Sequence, residues 1–76
     1  MPKLFSSKEV ISILVKEGFV FVSQKGSHVK YKKHRVGQTI TVIVPVGKKE
    51  IPVGTTRSII RQSQLPKDKF FGQATW

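Results

Sequence analysis

Two histidines, His28 and His34, are the side chains of this sequence best suited to moving protons near neutral pH. They lie six residues apart on one predicted strand. That is roughly 20 Å at about 3.3 Å per residue, so both cannot contact one phosphate. At most one is therefore catalytic, unless the protein dimerises. His28 follows a tight turn that could fix its position, but an ordinary surface histidine remains the alternative from residue types alone.

Basic residues dominate the chain. The 76 residues include 14 Lys and Arg against four Asp and Glu, a formal net charge of +10. This balance indicates a polyanion-binding protein, because so much charge otherwise destabilises the compact state by self-repulsion. Several basic residues cluster on one predicted hairpin with no acid between them: Lys25, Lys30, Lys32, Lys33 and Arg35. Phosphate contact explains this cluster better than salt bridges or a merely solvated charged face.

Acidic residues are too few and too scattered for a two-metal nuclease, which holds its ions with several carboxylates. They are Glu9, Glu17, Glu50 and Asp68. The chain has no cysteine, which excludes a thiolate metal site and a disulfide framework. RNA can still be cleaved without a metal, because a base can remove the proton of the ribose 2′-OH for attack on the neighbouring phosphate. His28 is the candidate base, and Lys30 and Lys32 are placed to stabilise the charge of the transition state.

The first predicted helix runs at about 7–17. Ser6 is its expected N-cap, and Glu9 completes a capping box. Apolar residues recur at helical spacing and predict one buried face made of Val10, Ile11, Leu14 and Val15. Gly18 follows as a residue able to take the positive φ at which helices end.

A second helix is predicted from Thr56 to about Gln64, with Thr55 as its N-cap and with Ile59 and Ile60 facing inward. The first N–H groups of this helix could hold a phosphate, although plain capping is at least as good a reading. Arg57 and Arg61 extend the basic surface along it. Residues 67–71 could add a final helical turn, and the aromatic side chains of Phe70, Phe71 and Trp76 make an apolar tail.

Three strands are predicted, at about 19–23, 28–34 and 39–44. In the second, Val29 and Tyr31 point to one side, and the residues that alternate with them point to the other: His28, Lys30, Lys32 and His34. Tyr31 is accordingly expected in the core rather than as a platform for stacking bases. In the third strand, the core face consists of Ile40, Val42 and Val44.

The order of elements is α-β-β-β-α, which predicts an α+β fold. The short connections favour a three-stranded antiparallel sheet with both helices on one face. The other face is left open and carries His28, Lys30 and Lys32. We expect one domain spanning residues 1–76, without a membrane span, because no apolar run approaches about 20 residues. The first residues lack the features of a signal peptide, so we expect a cytoplasmic protein.

Two motifs, in this order and at this spacing, resemble HicA toxins, the RNA-cleaving halves of prokaryotic type II toxin–antitoxin pairs. The first is Gly26-Ser27-His28, which follows the Glu17-Gly18-Phe19 helix end. The second is the Gly-Thr-x-Arg-x-Ile-x-x-Gln pattern of residues 54–62. The resemblance covers most of the chain. It departs after the third strand, where many relatives carry a histidine and this chain has Val46-Gly47.

The resemblance implies a double-stranded-RNA-binding-domain-like fold, mRNA cleavage without a cofactor, catalysis by His28 and a HicB-type antitoxin that covers the active site. Together with the charge pattern, it gives a set of candidate RNA-binding residues: Lys25, Ser27, Lys30, Lys32, Lys33, Arg57 and Arg61. No metal ligands are predicted.

The leading hypothesis is therefore a metal-independent endoribonuclease, the toxin of a toxin–antitoxin pair. The first alternative is a non-catalytic module that binds double-stranded RNA, which the fold order and the charge support equally well. The second alternative is a protein-interaction module whose basic surface is reserved for an acidic partner. Cleavage that depends on His28 separates the first reading from both others, and tight, salt-sensitive RNA binding separates the second from the third.

Overall fold

The computed structural model describes residues 4–71, and its elements follow the predicted order. They are α1 (Ser7–Lys16), β1 (Val20–Lys25), β2 (His28–Arg35), β3 (Gln38–Pro45), α2 (Val53–Ser63) and α3 (Asp68–Phe71). The strands form one antiparallel sheet in the order β1-β2-β3. The predicted α+β fold is therefore confirmed, with α3 as the expected short final turn. Among these residues, no helix has both the length and the apolar character to cross a bilayer.

Helix α1 begins with the predicted capping box. The Ser6 hydroxyl accepts from the Glu9 N–H at 3.1 Å, and the Glu9 carboxylate accepts from the Ser6 N–H at 2.9 Å. Its buried face is narrower than predicted. Val10 and Leu14 are fully buried, but Val15 is 53% exposed, which corrects its expected place in the core. The reason is helix geometry. Successive residues are rotated by about 100° around the helix axis, so Val15 lies outside the buried face, whose border is formed by Leu14.

Strand alternation divides the sheet into two faces, as predicted. The side chains of one face are buried under the helices: Val29, Tyr31, Ile40, Val42 and Val44. Apart from the buried Pro45 at the end of β3, the residues that alternate with them are exposed or half-buried, so the opposite face is open. Strand β1 differs from the prediction. Phe19 belongs to the core at 1% exposure, and the strand continues to Lys25, which leaves only Gly26 and Ser27 in the turn.

Helix α2 begins earlier than predicted, and the expected N-cap at Thr55 is wrong. The helix starts at Val53, with Pro52 in the cap position and no side-chain cap hydrogen bond. The preceding residue, Ile51, is fully buried and donates its N–H to the Phe5 carbonyl at 2.7 Å. This anchor fixes the chain just before Pro52, whose locked φ suits the start of a helix. Thr56, expected at the helix start, is a buried residue in its second turn.

The aromatic residues near the end of the described chain pack on its beginning. Phe70 is buried, and its ring lies 6.5 Å from the ring of Phe5, while the ring of Phe71 lies 5.5 Å from it. Lys69 and Glu17 also join α3 to the end of α1, at 3.7 Å. Trp76, the last residue of the predicted apolar tail, lies outside the described residues.

The buried Ser7 side chain ties the first helix to the end of the sheet. Its hydroxyl donates to the Pro45 carbonyl at 2.6 Å and accepts from the Lys48 N–H at 3.0 Å. The Ser7 N–H also donates to the Lys48 carbonyl at 2.9 Å. One residue therefore satisfies polar groups of the strand end and of the loop that follows it, where water has little access.

Replacing Ser7 with alanine should lower the free energy of unfolding by about 1–3 kcal/mol, because the Pro45 carbonyl loses its donor in a buried place. Urea denaturation of both proteins measures this. Ser12→Ala is the matched control, since Ser12 is exposed on the same helix, and it should change the free energy by less than about 0.5 kcal/mol. Equal stability of the two variants would contradict the role given to Ser7.

Candidate functional site

The open face of the sheet gathers most of the predicted site residues. His28 is the first residue of β2, and its register neighbours are Lys25 on β1 and Pro45 on β3. The next position on the same face of β2 is Lys30, which lies between Ser23 and Ile43. Directly paired residues of an antiparallel sheet project to the same side. Lys25 and Lys30 therefore flank His28 on one surface.

The turn before His28 is held from two sides. Gly26 has φ +60° and Ser27 a negative φ, the pattern of a type II′ hairpin turn, which demands glycine at its first central position. The Gln24 side-chain amide donates to the Gly26 carbonyl at 3.0 Å. The Val46 N–H donates to the Ser27 carbonyl at 2.8 Å. The backbone before His28 is thus held by a side chain of β1 and by the residue that follows β3, as the tight turn predicted.

The His28 side chain is exposed, and within residues 4–71 it takes part in no hydrogen bond or ion pair. It borders a cleft of about 370 Å³. The cleft is lined by Ser23, Lys25, His28, Val29, Lys30 and Ile43. The ring is therefore available to a ligand on a surface where positive charge and a small apolar patch meet.

The prediction from sequence missed Ser23 and Ile43 as members of this cleft. Ser23 escaped notice because the first strand was expected to end there. If the strand is extended to Lys25, its alternation places Ser23 and Lys25 on the same face as His28. Ile43 alternates with the buried Val42 and Val44, which already indicated the open face.

Lys32 continues the row of His28 and Lys30 along the open face of β2. None of the four acidic residues of the chain lies in a strand: Glu9 is in α1, Glu17 is its C-cap, Glu50 is in a loop and Asp68 is in α3. The lysines of the open face are consequently not neutralised by neighbouring carboxylates in the sheet. Such a surface attracts phosphate groups.

Lys33 is not part of this surface. It points to the helical side, where its ammonium donates to the Glu17 carbonyl at 2.7 Å and lies 5.9 Å from the centre of the Phe19 ring. A cation at the C-terminal end of α1 satisfies a carbonyl that the helix leaves unpaired and interacts favourably with the helix dipole. Lys33 therefore has a structural contact of its own, which separates it from the other predicted RNA-binding lysines.

Arg57 and Arg61 are also separate from His28. Both are exposed on α2, which covers the opposite face of the sheet. They border a second groove, of about 700 Å³, between α2 and the segment that ends in α3. Lys67 lies at the same groove, so the helical side has a basic surface of its own. The first N–H groups of α2 belong to residues 53–55, one turn earlier than expected.

His34 lies on the open face at the other end of β2, where its Nδ1 atom is 3.2 Å from the Thr39 hydroxyl. Its distance along the strand keeps it away from the cleft of His28, as predicted. Among the described residues, no group of three or more His, Asp or Glu side chains is arranged to hold a metal ion.

Comparison with protein families identifies the family of this chain. Residues 7–65 match the model of the HicA toxin of bacterial toxin–antitoxin systems. The match runs from the start of α1 to just beyond α2 and includes both motifs that carried the resemblance. No curated protein matches the chain.

Lys33→Met and Lys32→Met remove the same charge, but the different positions of the two side chains predict different effects on stability and on RNA binding. Lys33→Met should lower the free energy of unfolding by about 1–2 kcal/mol, because the Glu17 carbonyl loses its charged donor. Lys32→Met should leave it within about 0.5 kcal/mol. If the open face binds RNA, only Lys32→Met should reduce the salt dependence of that binding, by about one phosphate contact, in titrations of an RNA oligonucleotide. The reverse pattern would contradict the assignment of the two lysines.

Proposed function

Because the chain belongs to the HicA toxin family of toxin–antitoxin systems, we propose that it is an endoribonuclease that cleaves mRNA in the cytoplasm without a metal ion. In this proposal His28 is the catalytic residue, and a HicB-type antitoxin neutralises the enzyme. The observation that carries the proposal is the exposed His28 side chain at the cleft, flanked by Lys25 and Lys30 on an open face without strand carboxylates.

The proposed reaction uses the ribose 2′-OH as the nucleophile. His28 accepts the 2′-OH proton while the 2′ oxygen bonds to the adjacent phosphorus, and the bond from phosphorus to the 5′ oxygen breaks. The leaving 5′ oxygen takes up a proton, so the products are a 2′,3′-cyclic phosphate and a 5′-OH. DNA lacks the 2′-OH and is not a substrate by this route.

The lysines of the open face supply binding and electrostatic stabilisation. Lys25 and Lys30 border the cleft of His28 and would face the reacting phosphate, whose negative charge rises in the transition state. Lys32 and the Ser27 side chain, on either side of them, would hold neighbouring parts of the RNA backbone. Lys33 drops out of the proposed contact set because its ammonium is committed to the Glu17 carbonyl.

A second candidate function has its own support in the helical side of the molecule. Arg57, Arg61 and Lys67 form a basic surface there that does not adjoin His28. The α-β-β-β-α order is also that of modules that bind double-stranded RNA by its shape, without cleaving it. A non-catalytic double-stranded RNA-binding module would use this surface and would leave His28 without a role.

Cleavage that depends on His28 is the direct test of catalysis. With RNA in excess EDTA, His28→Ala should reduce the cleavage rate by at least about 100-fold, the usual range for loss of a general base. His34→Ala is the matched control, because it removes the other histidine of the same strand and should cleave at the wild-type rate. Mapping of 3′ ends should find 2′,3′-cyclic phosphates. Equal rates for His28→Ala and wild type, in preparations free of other nucleases, would exclude His28 as the catalyst.

Binding measurements with an uncleavable strand distinguish the two candidate functions. An RNA oligonucleotide with a 2′-deoxy substitution at the cleaved position should bind wild type and His28→Ala with affinities within about twofold, because phosphate contacts dominate binding. Lys30→Ala should weaken this binding more than Arg61→Ala does. A duplex preference, combined with the larger loss in Arg61→Ala, would favour the non-catalytic module instead.

A further inference from the structure

The two edge strands of the sheet differ in how their outward backbone groups are hydrogen-bonded. At the β3 edge, the Ile43 N–H donates to the Gln62 side chain of α2 at 3.1 Å. The Gln62 amide in turn donates to the Ser58 hydroxyl at 3.0 Å, which holds it in place. Gln62 of α2 therefore satisfies one backbone N–H of this edge that would otherwise be free to pair with another chain.

The β1 edge has no such cover in the part of the chain that the structure describes. Strand β1 is the outer strand of the sheet, and all of its residues are exposed. Outside its ladder with β2, no hydrogen bond among residues 4–71 uses a backbone group of Val20–Lys25. In an edge strand of this kind, alternate N–H and C=O groups face outward and can accept a further strand.

The side chains of this edge are apolar. Val20, Phe21 and Val22 are consecutive and are 58%, 56% and 43% exposed. Val22 has no partner on β2, because a β-bulge separates the pairs of Phe21 and Ser23. A bulged edge disfavours unspecific edge-to-edge pairing with other strands. It can still pair with a partner strand whose shape matches the bulge. A run of exposed apolar residues on an unpaired edge is typical of an interaction site.

The positive charge around β1 favours an acidic partner strand over a second copy of this chain. Two copies of a chain with a net charge of +10 would repel each other if they paired through β1. Lys25 ends this strand, and Lys30 and Lys32 lie on the adjacent strand opposite Ser23 and Val20. A partner strand laid along β1 would have Lys25 next to it and the strand of Lys30 and Lys32 about 10 Å away, within the reach of long side chains on the open face. Acidic side chains on that strand would be attracted, and basic ones would be repelled.

We propose that the β1 edge is the docking site for a β-strand of an acidic protein partner, which extends the sheet of this chain. The added strand would bury the apolar side chains of residues 20–22 and place acidic groups beside the lysines that flank His28. In a toxin–antitoxin pair, the antitoxin is the candidate for this acidic partner, and docking there would restrict access to the cleft. This inference rests on the toxin–antitoxin assignment but not on catalysis by His28.

The experiment uses the 76-residue chain with His28→Ala, so that cells tolerate it, together with the HicB-type antitoxin of the proposed pair. Hydrogen–deuterium exchange compares the free chain with the complex. The amides of Val20–Lys25 that exchange quickly in the free chain should become protected, and those of the 36–37 turn should not. A complex that leaves the β1 amides exchanging at the rate of the free chain would overturn the proposal, as would an antitoxin that does not bind this chain.

Val22→Glu and Val36→Glu form a matched pair of variants, since both replace an exposed valine and both lower the net charge equally. Val36 lies at the β2–β3 turn, away from the β1 edge. Val22→Glu should weaken the complex by at least about tenfold, because it places a like charge against an acidic strand and removes apolar contact. Val36→Glu should change the affinity less than about twofold, and thermal unfolding checks that both variants fold.

Equal affinities of the two variants would also overturn the proposal. The proposal would also be overturned if the β1 amides of the chain without a partner became more protected as its concentration rises. The edge would then bind a second copy of the chain. The outcome is independent of the catalytic proposal. His28→Ala could abolish cleavage while the complex leaves β1 uncovered, or β1 could be protected in a chain that cleaves no RNA.

Discussion

The hydrogen bonds of Ser7 connect the helical layer to the end of the sheet that carries His28. The hydroxyl bridges the Pro45 carbonyl and the Lys48 N–H, which are far from it in the sequence. Pro45 pairs with His28 in the sheet, and the next residue, Val46, holds the carbonyl of Ser27. Within residues 4–71 the His28 side chain makes no hydrogen bond, so its position derives from backbone anchors of this kind.

Strand alternation gives neighbouring lysines different roles on one hairpin. Lys30 and Lys32 remain on the open face, where their charges repel one another and favour an anionic ligand. Lys33, the next residue, is drawn to the carbonyl of Glu17 and the face of Phe19, where its charge stabilises the fold. The same alternation leaves β1 as an exposed edge beside the lysines. A basic open face and an unpaired strand edge therefore adjoin in the described chain.

The sequence by itself determined those features that depend on near neighbours. The capping box of Ser6 and Glu9 involves residues three apart, so its pattern is visible in the chain. The two faces of β2 follow from a period of two, which separates His28 and Lys30 from the buried Tyr31. The fold class, the open face and the family motif were consequently predictable, and so was the exposure of His28.

Only the tertiary structure decided features that depend on distant contacts. Helix α2 begins at Val53 rather than at Thr56 because Ile51 is anchored to a residue near the start of the chain. Lys33 has its partner at the end of α1 because that helix end lies against it, and Arg61 lies away from the cleft of His28 because α2 covers the opposite face. Sequence composition and residue spacing show that a charged residue is present, but they do not show where it lies in the folded chain. Its partner, and thus its role, is set by which segments the folded chain brings together.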